Sequence, residues 1–338
     1  MTSEHLRRAW ARAQLLDGRG RSGVAEVAGV VGGLQAQDFT AAALSIRARG
    51  GAGTYAEVEA AVTSGDVAVA WTLRGTRHLH PRADLAWLVR LLGPMFNRPG
   101  SARARQLGLD GRTGDRAVAA VREALADGPL DRAQVKGLLA PLGVDPSGQA
   151  PVHVLARAAR EGALYVLPGR PERYARLDPD DGSGPPDPAA ELARRHLAAF
   201  GPAAPEDFRA WSGMGAGAAR NAWAAIEGEL AGVGDGRWVL AQRLDRVRAD
   251  TRRPAPARLL GAFDTLLLGR ADRATLLPPE HARRVNAGGG MVKPTVVVDG
   301  AVVGTWAVRK GQVEVAPFAE IAADLGPEVA AVEAFLDP

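Results

Sequence analysis

Cysteine is absent from the 338 residues. That excludes disulfides and zinc–thiolate centres. No run of about 18 apolar residues occurs, so no membrane span is expected. The first residues, MTSEHLRRAWARA, lack the apolar core of a secretory signal, and a cytoplasmic protein is the expectation. Lysine is scarce: Lys136, Lys293 and Lys310 are the three among 42 basic residues. The others are arginine, whose planar fork suits bidentate phosphate contacts. A GC-rich coding sequence would raise arginine as well. The formal charge of +4 and the pI of about 9.9 therefore fit a polyanionic partner without requiring one.

What is present supports a core. Hydrophobic residues make up 46% of the chain, and the length suggests two to four small domains. The stretch that organises the rest is Gly32–Arg49, GGLQAQDFTAAALSIRAR. Val24, Val27, Ala28, Val31 and Leu34 precede its centre at helical spacing, which predicts a helix over Val24–Leu34. A second helix is predicted over Phe39–Arg49, with Asp38 as its N-cap. Between them stand Gln35, Gln37 and Asp38. Three hydrogen-bonding side chains between two apolar helices suit a junction that faces something polar, and DNA is our reading of it.

Around this stretch one outline recurs. Helices are predicted over Glu4–Leu16 and, from the capping box Thr54-Tyr-Ala-Glu57, to about Thr63. Val67–Leu73 and Arg77–His80 then read as a ribbon that turns at Arg74–Thr76 and ends at Pro81. Helices followed by a two-stranded ribbon are the outline of a winged helix. A second set has helices at Leu85–Leu92, Ala117–Ala126, Asp131–Ala140 and Val152–Glu161, with a ribbon at Leu164–Leu167 and Glu172–Leu177. The acidic Asp178–Pro188, rich in Pro and Gly, reads as a surface linker. A third set has helices at Ala190–Phe200, Pro205–Trp211 and Ala216–Ile226, with a strand at Trp238–Leu240. The last part reads as a small β-rich module. Its hairpin Val292–Trp306 turns at Asp299-Gly300, a favoured type I′ pair, and a strand at Val313–Val315 and a helix over Ala319–Leu336 follow. The expected fold is α+β, mainly α. It comprises winged helices at 1–81, 82–178 and 189–253 and a C-terminal β-rich module at 254–338.

Four segments carry a resemblance: Leu34-Gln-Ala-Gln37, Trp71-Thr-Leu-Arg-Gly-Thr-Arg-His-Leu79, Leu260-Gly-Ala-Phe-Asp-Thr-Leu-Leu-Leu-Gly-Arg270 and Val298-Asp-Gly-Ala-Val-Val-Gly-Thr-Trp306. In their order along nearly the whole chain, the sequence resembles the winged-helix DNA glycosylases of the AlkZ/YcaQ type. The resemblance implies three winged helices around a concave basic surface, and a monomer acting on duplex DNA that carries alkylated purines. It implies neither metal nor organic cofactor. It assigns catalysis to glutamine, an apolar residue, then glutamine or aspartate, which places the catalytic pair at Gln35 and Gln37. The glutamine form resembles the branch linked to self-resistance against DNA-alkylating natural products.

The chemistry is compatible with two neutral amides. An N7-alkylated guanine is cationic and leaves as a neutral base, so no general acid is needed. A glutamine carbonyl can accept from the attacking water, and its NH2 can donate to a phosphate or sugar oxygen. Asp38 is the electrostatic rival, since a carboxylate would stabilise an oxocarbenium-like sugar better than an amide. Arg74, Arg77, His78 and His80 on the first ribbon are candidate DNA contacts, as are Arg252, Arg253 and Lys293; each could equally be a solvated loop or ribbon residue. His78 and His80 share a strand face, but a third ligand is lacking and no metal site is expected. Arg220 and Asn221 sit where a recognition helix could present them, and chance placement is an equal reading. Asp264, between apolar runs, reads as a structural hydrogen-bonding residue. The alternative to a glycosylase is a non-catalytic winged-helix DNA-binding protein or transcriptional regulator.

Overall fold

Apolar spacing of three and four builds the first helices, and glycine stops the one that matters most. The computed structural model describes residues 1–18, 22–97, 101–178, 182, 184–250 and 253–337. α1 (Ser3–Ala13) is capped by Thr2 and buries Leu6, Ala9 and Trp10. α2 (Val24–Val30) buries Val24, Val27 and Ala28. Spacing alone carries this helix to Leu34, yet it ends at Val30. Gly32 and Gly33 take φ of +74° and +99°. Their N–H groups return to the carbonyls of Gly29 and Ala28 at 3.1 and 2.8 Å. This is a Schellman stop, and glycine enters it without a Cβ penalty. β1 (Leu34–Gln35), α3 (Phe39–Ala48) and α4 (Tyr55–Thr63) follow. Thr54 accepts from the Glu57 N–H at 3.3 Å, while the Glu57 carboxylate takes the Gly53 N–H at 2.7 Å. The expected capping box thus reaches one residue further back.

Contacts divide the chain into two units, Val62–Pro188 and the pairing of Met1–Ala61 with Ala189–Pro338. The first contains β2 (Val67–Trp71), β3 (Arg77–Pro81), α5 (Leu85–Phe96), α6 (Ala102–Gln106), α7 (Gly111–Ala124), β4 (Leu130–Asp131), α8 (Arg132–Leu139), α9 (Ala150–Arg160), β5 (Leu164–Leu167) and β6 (Arg173–Arg176). Its strands run in the order β3-β2-β5-β6-β4, all antiparallel. The two ribbons read separately from the sequence are therefore joined, through Val69 opposite Val166. Asp131 and Gln134 complete a capping box on α8. Of the acidic linker, residues 179–181 and 183 lie outside the described residues.

The other unit resumes with α10 (Pro188–Phe200), α11 (Pro205–Ser212), α12 (Ala216–Ala224), β7 (Leu230–Gly234), β8 (Arg237–Leu240) and α13 (Leu244–Asp250). β7 pairs β8; the sequence showed only the second strand, because Leu230–Gly234 holds two glycines and no alternation. Then come β9 (Arg258–Leu260), α14 (Thr265–Leu268), α15 (Ala282–Val285), β10 (Asn286–Gly288), β11 (Met291–Val292), β12 (Thr295–Val298), β13 (Ala301–Arg309), β14 (Gln312–Pro317) and α16 (Gly326–Leu336). β14-β13-β12-β9 form an antiparallel sheet. Its hairpin turns at Asp299-Gly300 with φ of 48° and 72°, as a type I′ turn requires. The terminal helix begins at Gly326 rather than Ala319, with Pro327 in its first turn, where a missing N–H costs nothing. The fold is α+β and mainly α. Among the described residues no helix is long and apolar enough to cross a membrane.

The last part is bound to the first by charge as well as by apolar contact. Leu6, Trp10 and Leu16 share one core with Leu260, Leu266, Leu276 and Val297. Inside this unit Arg49 meets Asp264 through both nitrogens, at 2.8 and 2.9 Å, with the two side chains 0% and 1% exposed. Ser45 Oγ donates to the same carboxylate at 2.7 Å, as does the Leu266 N–H at 2.9 Å. Arg49 also donates to Gln14 Oε1, and Gln14 Nε2 to the Ala199 carbonyl. Burial by itself would raise the Asp264 carboxyl, but the Arg49 charge and these hydrogen bonds hold it below its ordinary value.

Removing either partner strands the other charge in the core. Asp264→Ala should lower stability by about 3–5 kcal/mol in urea unfolding. Because the folded carboxyl titrates below the unfolded value of about 3.9, the pair's contribution is whole above that pH. It is lost as pH falls through the lower, folded value. Stability of the wild type should therefore drop on acidification through this range more steeply than that of Asp264→Ala; parallel curves would refute the pair's role.

Candidate active site

The Schellman stop delivers the chain into an extended segment, and the segment's alternation sorts its side chains. Leu34 and Ala36 are 1% and 4% exposed, so they face the core. Gln35 is half-buried and Gln37 exposed on the other side. β1 ends at Gln35 and the chain bends at Gln37 and Asp38, with the small, buried Ala36 between the two glutamines. The amides meet: Gln35 Nε2 donates to Gln37 Oε1 at 2.7 Å. The Gln37 carbonyl retains a second lone pair for another donor. Asp38 follows as the expected N-cap of α3, its Oδ1 accepting from the Ala41 N–H at 3.2 Å.

Two fixtures locate this segment. On its far side is the Asp38 cap. On its near side Gly32 lies against Trp211 of α11: a Cβ there would stand 2.8 Å from Cζ2. Sequence reasoning missed both Gly32 and Trp211. The glycine pair was a readable stop signal; Trp211 read as an ordinary apolar helix residue, and nothing in the sequence singled it out.

The first ribbon's polar residues are largely engaged inside their own unit. His78 and His80 are each 2% exposed. His78 contacts Arg74 Nη2 at 3.2 Å and the Thr76 carbonyl at 3.1 Å, and His80 the Thr72 hydroxyl at 2.9 Å. Burial first, then the Arg74 and His80 charges, push His78 well below its ordinary value, so it is neutral. At this exposure the two histidines present little surface of their own. Arg77 pairs with Glu172 at 2.8 Å and lies over the Trp71 ring at 4.8 Å. Arg74 is half-buried, in a left-handed conformation with φ of 54°. No group of three metal-ligating side chains occurs among the described residues.

Arg253 and Lys293 are exposed. Arg252 lies outside the described residues. Asn286–Val292 is a hairpin of β10 and β11, with Gly288–Gly290 all at positive φ, and Lys293 follows it. Arg209 and Arg220, both exposed, flank a cleft of about 240 Å³ between α11 and α12. Among the described residues neither has an ion-pair partner.

Comparison with known proteins gives consistent results. A family model described as "DNA glycosylase AlkZ-like" matches residues 29–337. An "Interstrand DNA cross-link repair glycosylase" of Streptomyces sahachiroi is 28% identical over 331 residues, covering 92% of this chain and 89% of its own. The solved structure of "Streptomyces sahachiroi DNA glycosylase AlkZ" superposes with a TM-score of 0.84 at 25% identity, over 99% of this chain and 96% of that one.

The contact between Gly32 and Trp211 has a measurable cost. Gly65, with φ of +82° and open space where a Cβ would stand, isolates the backbone term alone. Gly65→Ala should cost about 1 kcal/mol and Gly32→Ala at least about 1 kcal/mol more. Equal losses in urea unfolding would show that the indole yields freely.

Proposed function

The chain belongs to the AlkZ-like DNA glycosylase family, and from that premise we propose that it hydrolyses the N-glycosidic bond of alkylated purines in duplex DNA. N7-alkylguanine is the parent lesion. Bulky adducts and interstrand crosslinks, the latter named for the Streptomyces sahachiroi relative, fall within its range. Its setting is DNA repair or self-resistance to a DNA-alkylating natural product, and it works as a monomer in the cytoplasm. The observation that carries this reading is the hydrogen-bonded amide pair, Gln35 at the end of β1 and Gln37 at the bend that follows, with its second member exposed.

The reaction needs little from the protein except placement. In an N7-alkylguanine nucleotide the base is already cationic. As the C1′–N9 bond breaks, the electron pair stays with the base and quenches that charge. Water adds its oxygen to C1′ and releases a proton to solvent. Gln37 takes the water's hydrogen bond on its carbonyl and fixes the direction of attack. Gln35 holds the Gln37 amide through the 2.7 Å hydrogen bond, so one rotor is set by the other. Asp38 keeps its role as the cap of α3. Its charge lies beside the developing cation, but its orientation serves the helix.

Contacts to the DNA backbone come from the exposed Arg253 and Lys293 and the half-buried Arg74, with the exposed Arg209 and Arg220 at the cleft of α11 and α12. α11 and α12 with the β7–β8 ribbon have the element order of a winged helix, and the second of the two helices presents Arg220. We retain the three-fold winged-helix division as part of this proposal.

Two experiments test it. On a duplex with one N7-methylguanine, Gln37→Ala should slow single-turnover excision by about 10- to 1000-fold, and Gln35→Ala by less, with lesion binding retained in both. An unchanged rate in Gln37→Ala would end the assignment. For the backbone contacts, Arg209→Ala and Arg220→Ala should each reduce the slope of log affinity against log salt by about 1 on undamaged duplex. Unaltered slopes would remove α11 and α12 from the DNA face.

A further inference from the structure

We propose that Trp211, a residue of α11, is a positioning residue for the glutamine pair, acting through Gly32 and β1; this rests on the catalytic reading of Gln35 and Gln37. Two neutral amides supply neither a proton nor a nucleophile. What they contribute is geometry, and a misplacement of about 1 Å can cost about 100-fold. Such a site is more exposed to the quality of its support than one whose rate comes largely from a strong acid or base.

The support is visible at both ends of the segment. At the far end Asp38 ties the chain to the first turn of α3. At the near end the benzo ring of Trp211 abuts Gly32: Cζ2, Cη2 and Cε2 lie 2.8, 3.4 and 3.8 Å from where a Cβ would be. Only three positions separate Gly32 from Gln35. Gly33 is fixed by its hydrogen bond to Ala28, and Leu34 is buried, so little slack remains between indole and amide.

The indole itself is held from behind. Trp211 is 1% exposed, with ring centres of His196, Phe200 and Phe208 at 5.1, 5.6 and 6.4 Å. His196 is fully buried, and its Nε2 contacts the Gly269 carbonyl at 3.3 Å. Burial pushes this imidazole down to about 3, so the cluster stays uncharged at neutral pH. Gly269 in turn presses on Phe200, where a Cβ would meet Cε1 at 2.0 Å. The line Gly269, Phe200, Trp211, Gly32 is thus contiguous packing that ends at the turn leading into β1, the strand that carries Gln35. Interiors packed at this density transmit displacement rather than absorb it.

Trp211→Phe separates positioning from folding. Phenylalanine keeps an aromatic ring in the cluster but removes the benzo atoms that reach Gly32. With enzyme in saturating excess over an N7-methylguanine duplex, Trp211→Phe should slow excision about 10-fold, with the Kd for the same duplex within about twofold. Retention of the wild-type near-UV circular dichroism would show the variant folded, and Trp211→Leu serves in its place if it is not. The deciding measurement is the double-mutant cycle. In a Gln37→Ala background the Trp211 substitution should change the residual rate by less than about twofold, since its route to the reaction is already cut. An equal fall in both backgrounds, or no fall in either, overturns the inference while leaving the glutamine assignment intact. No loss in Gln37→Ala itself overturns the assignment, and the inference with it.

Discussion

The buried ion pair of Arg49 and Asp264 is the constraint on which the surrounding structure depends. A carboxylate and a guanidinium, 1% and 0% exposed, are tolerable inside a protein only when they are paired and hydrogen-bonded, and here every polar atom of the two side chains except the Arg49 Nε has a partner. Asp264 is satisfied by Arg49, Ser45 and the N–H of Leu266. Arg49 adds the Ser45 carbonyl and Gln14, and Gln14 adds the Ala199 carbonyl. Few arrangements of the chain satisfy this set. They require α3, α10, α14 and the end of α1 to meet at one place. α3 is also the helix whose first turn Asp38 caps, immediately after the glutamines. The requirement to neutralise one carboxylate therefore propagates to the position of the amide pair.

The segment 260–270 shows how this is done in sequence. Gly261 lets β9 run into α3, where a Cβ would meet the Ala41 carbonyl at 2.6 Å. Asp264 caps α14 and pairs with Arg49. Gly269 admits Phe200, and Arg270 lies 3.5 Å over the Trp10 ring and donates to the Phe200 carbonyl. The second block, 298–306, works alike. Asp299 accepts from Arg8 and from the Ala255 N–H, Gly300 turns against the Arg7 backbone, and the Trp306 indole donates to the Leu260 carbonyl. Both blocks are structural, and both hold the first helices to the last strands.

Much of this was legible because it depends on local rules. The type I′ turn at Asp299-Gly300, the caps at Asp38 and Asp131 and the proline-led start of α11 follow from residue types at fixed offsets. The structural reading of Asp264 followed from a lone carboxylate between apolar runs. What stayed hidden depends on contacts remote in sequence. Nothing near Val69 shows that Val166 will pair with it. The α2 boundary is a different case, since Gly32-Gly33 could have ended the helix on sight. There the apolar spacing, which runs unbroken to Leu34, outweighed the backbone signal. Trp211 had no local mark at all, for its role exists only where another helix brings it under Gly32.

The glutamine pair also sets terms for its substrate. Gln37 is exposed, and an exposed dipole is screened by water until something covers it. On the proposed reading, the cover has to be the DNA itself, which excludes bulk solvent as it docks and leaves the one water that the amide orients. A site of this design gains little from electrostatics before binding and depends on the fit of the duplex around the lesion. It also has no need of a closed pocket shaped to one base. The buried Leu34 and Ala36 carry the structural demands, while Gln35 is half-buried and Gln37 exposed. On that proposed reading, tolerance of large adducts and dependence on rigid support would be two consequences of one arrangement, with specificity left to the charge and strain of the damaged nucleotide.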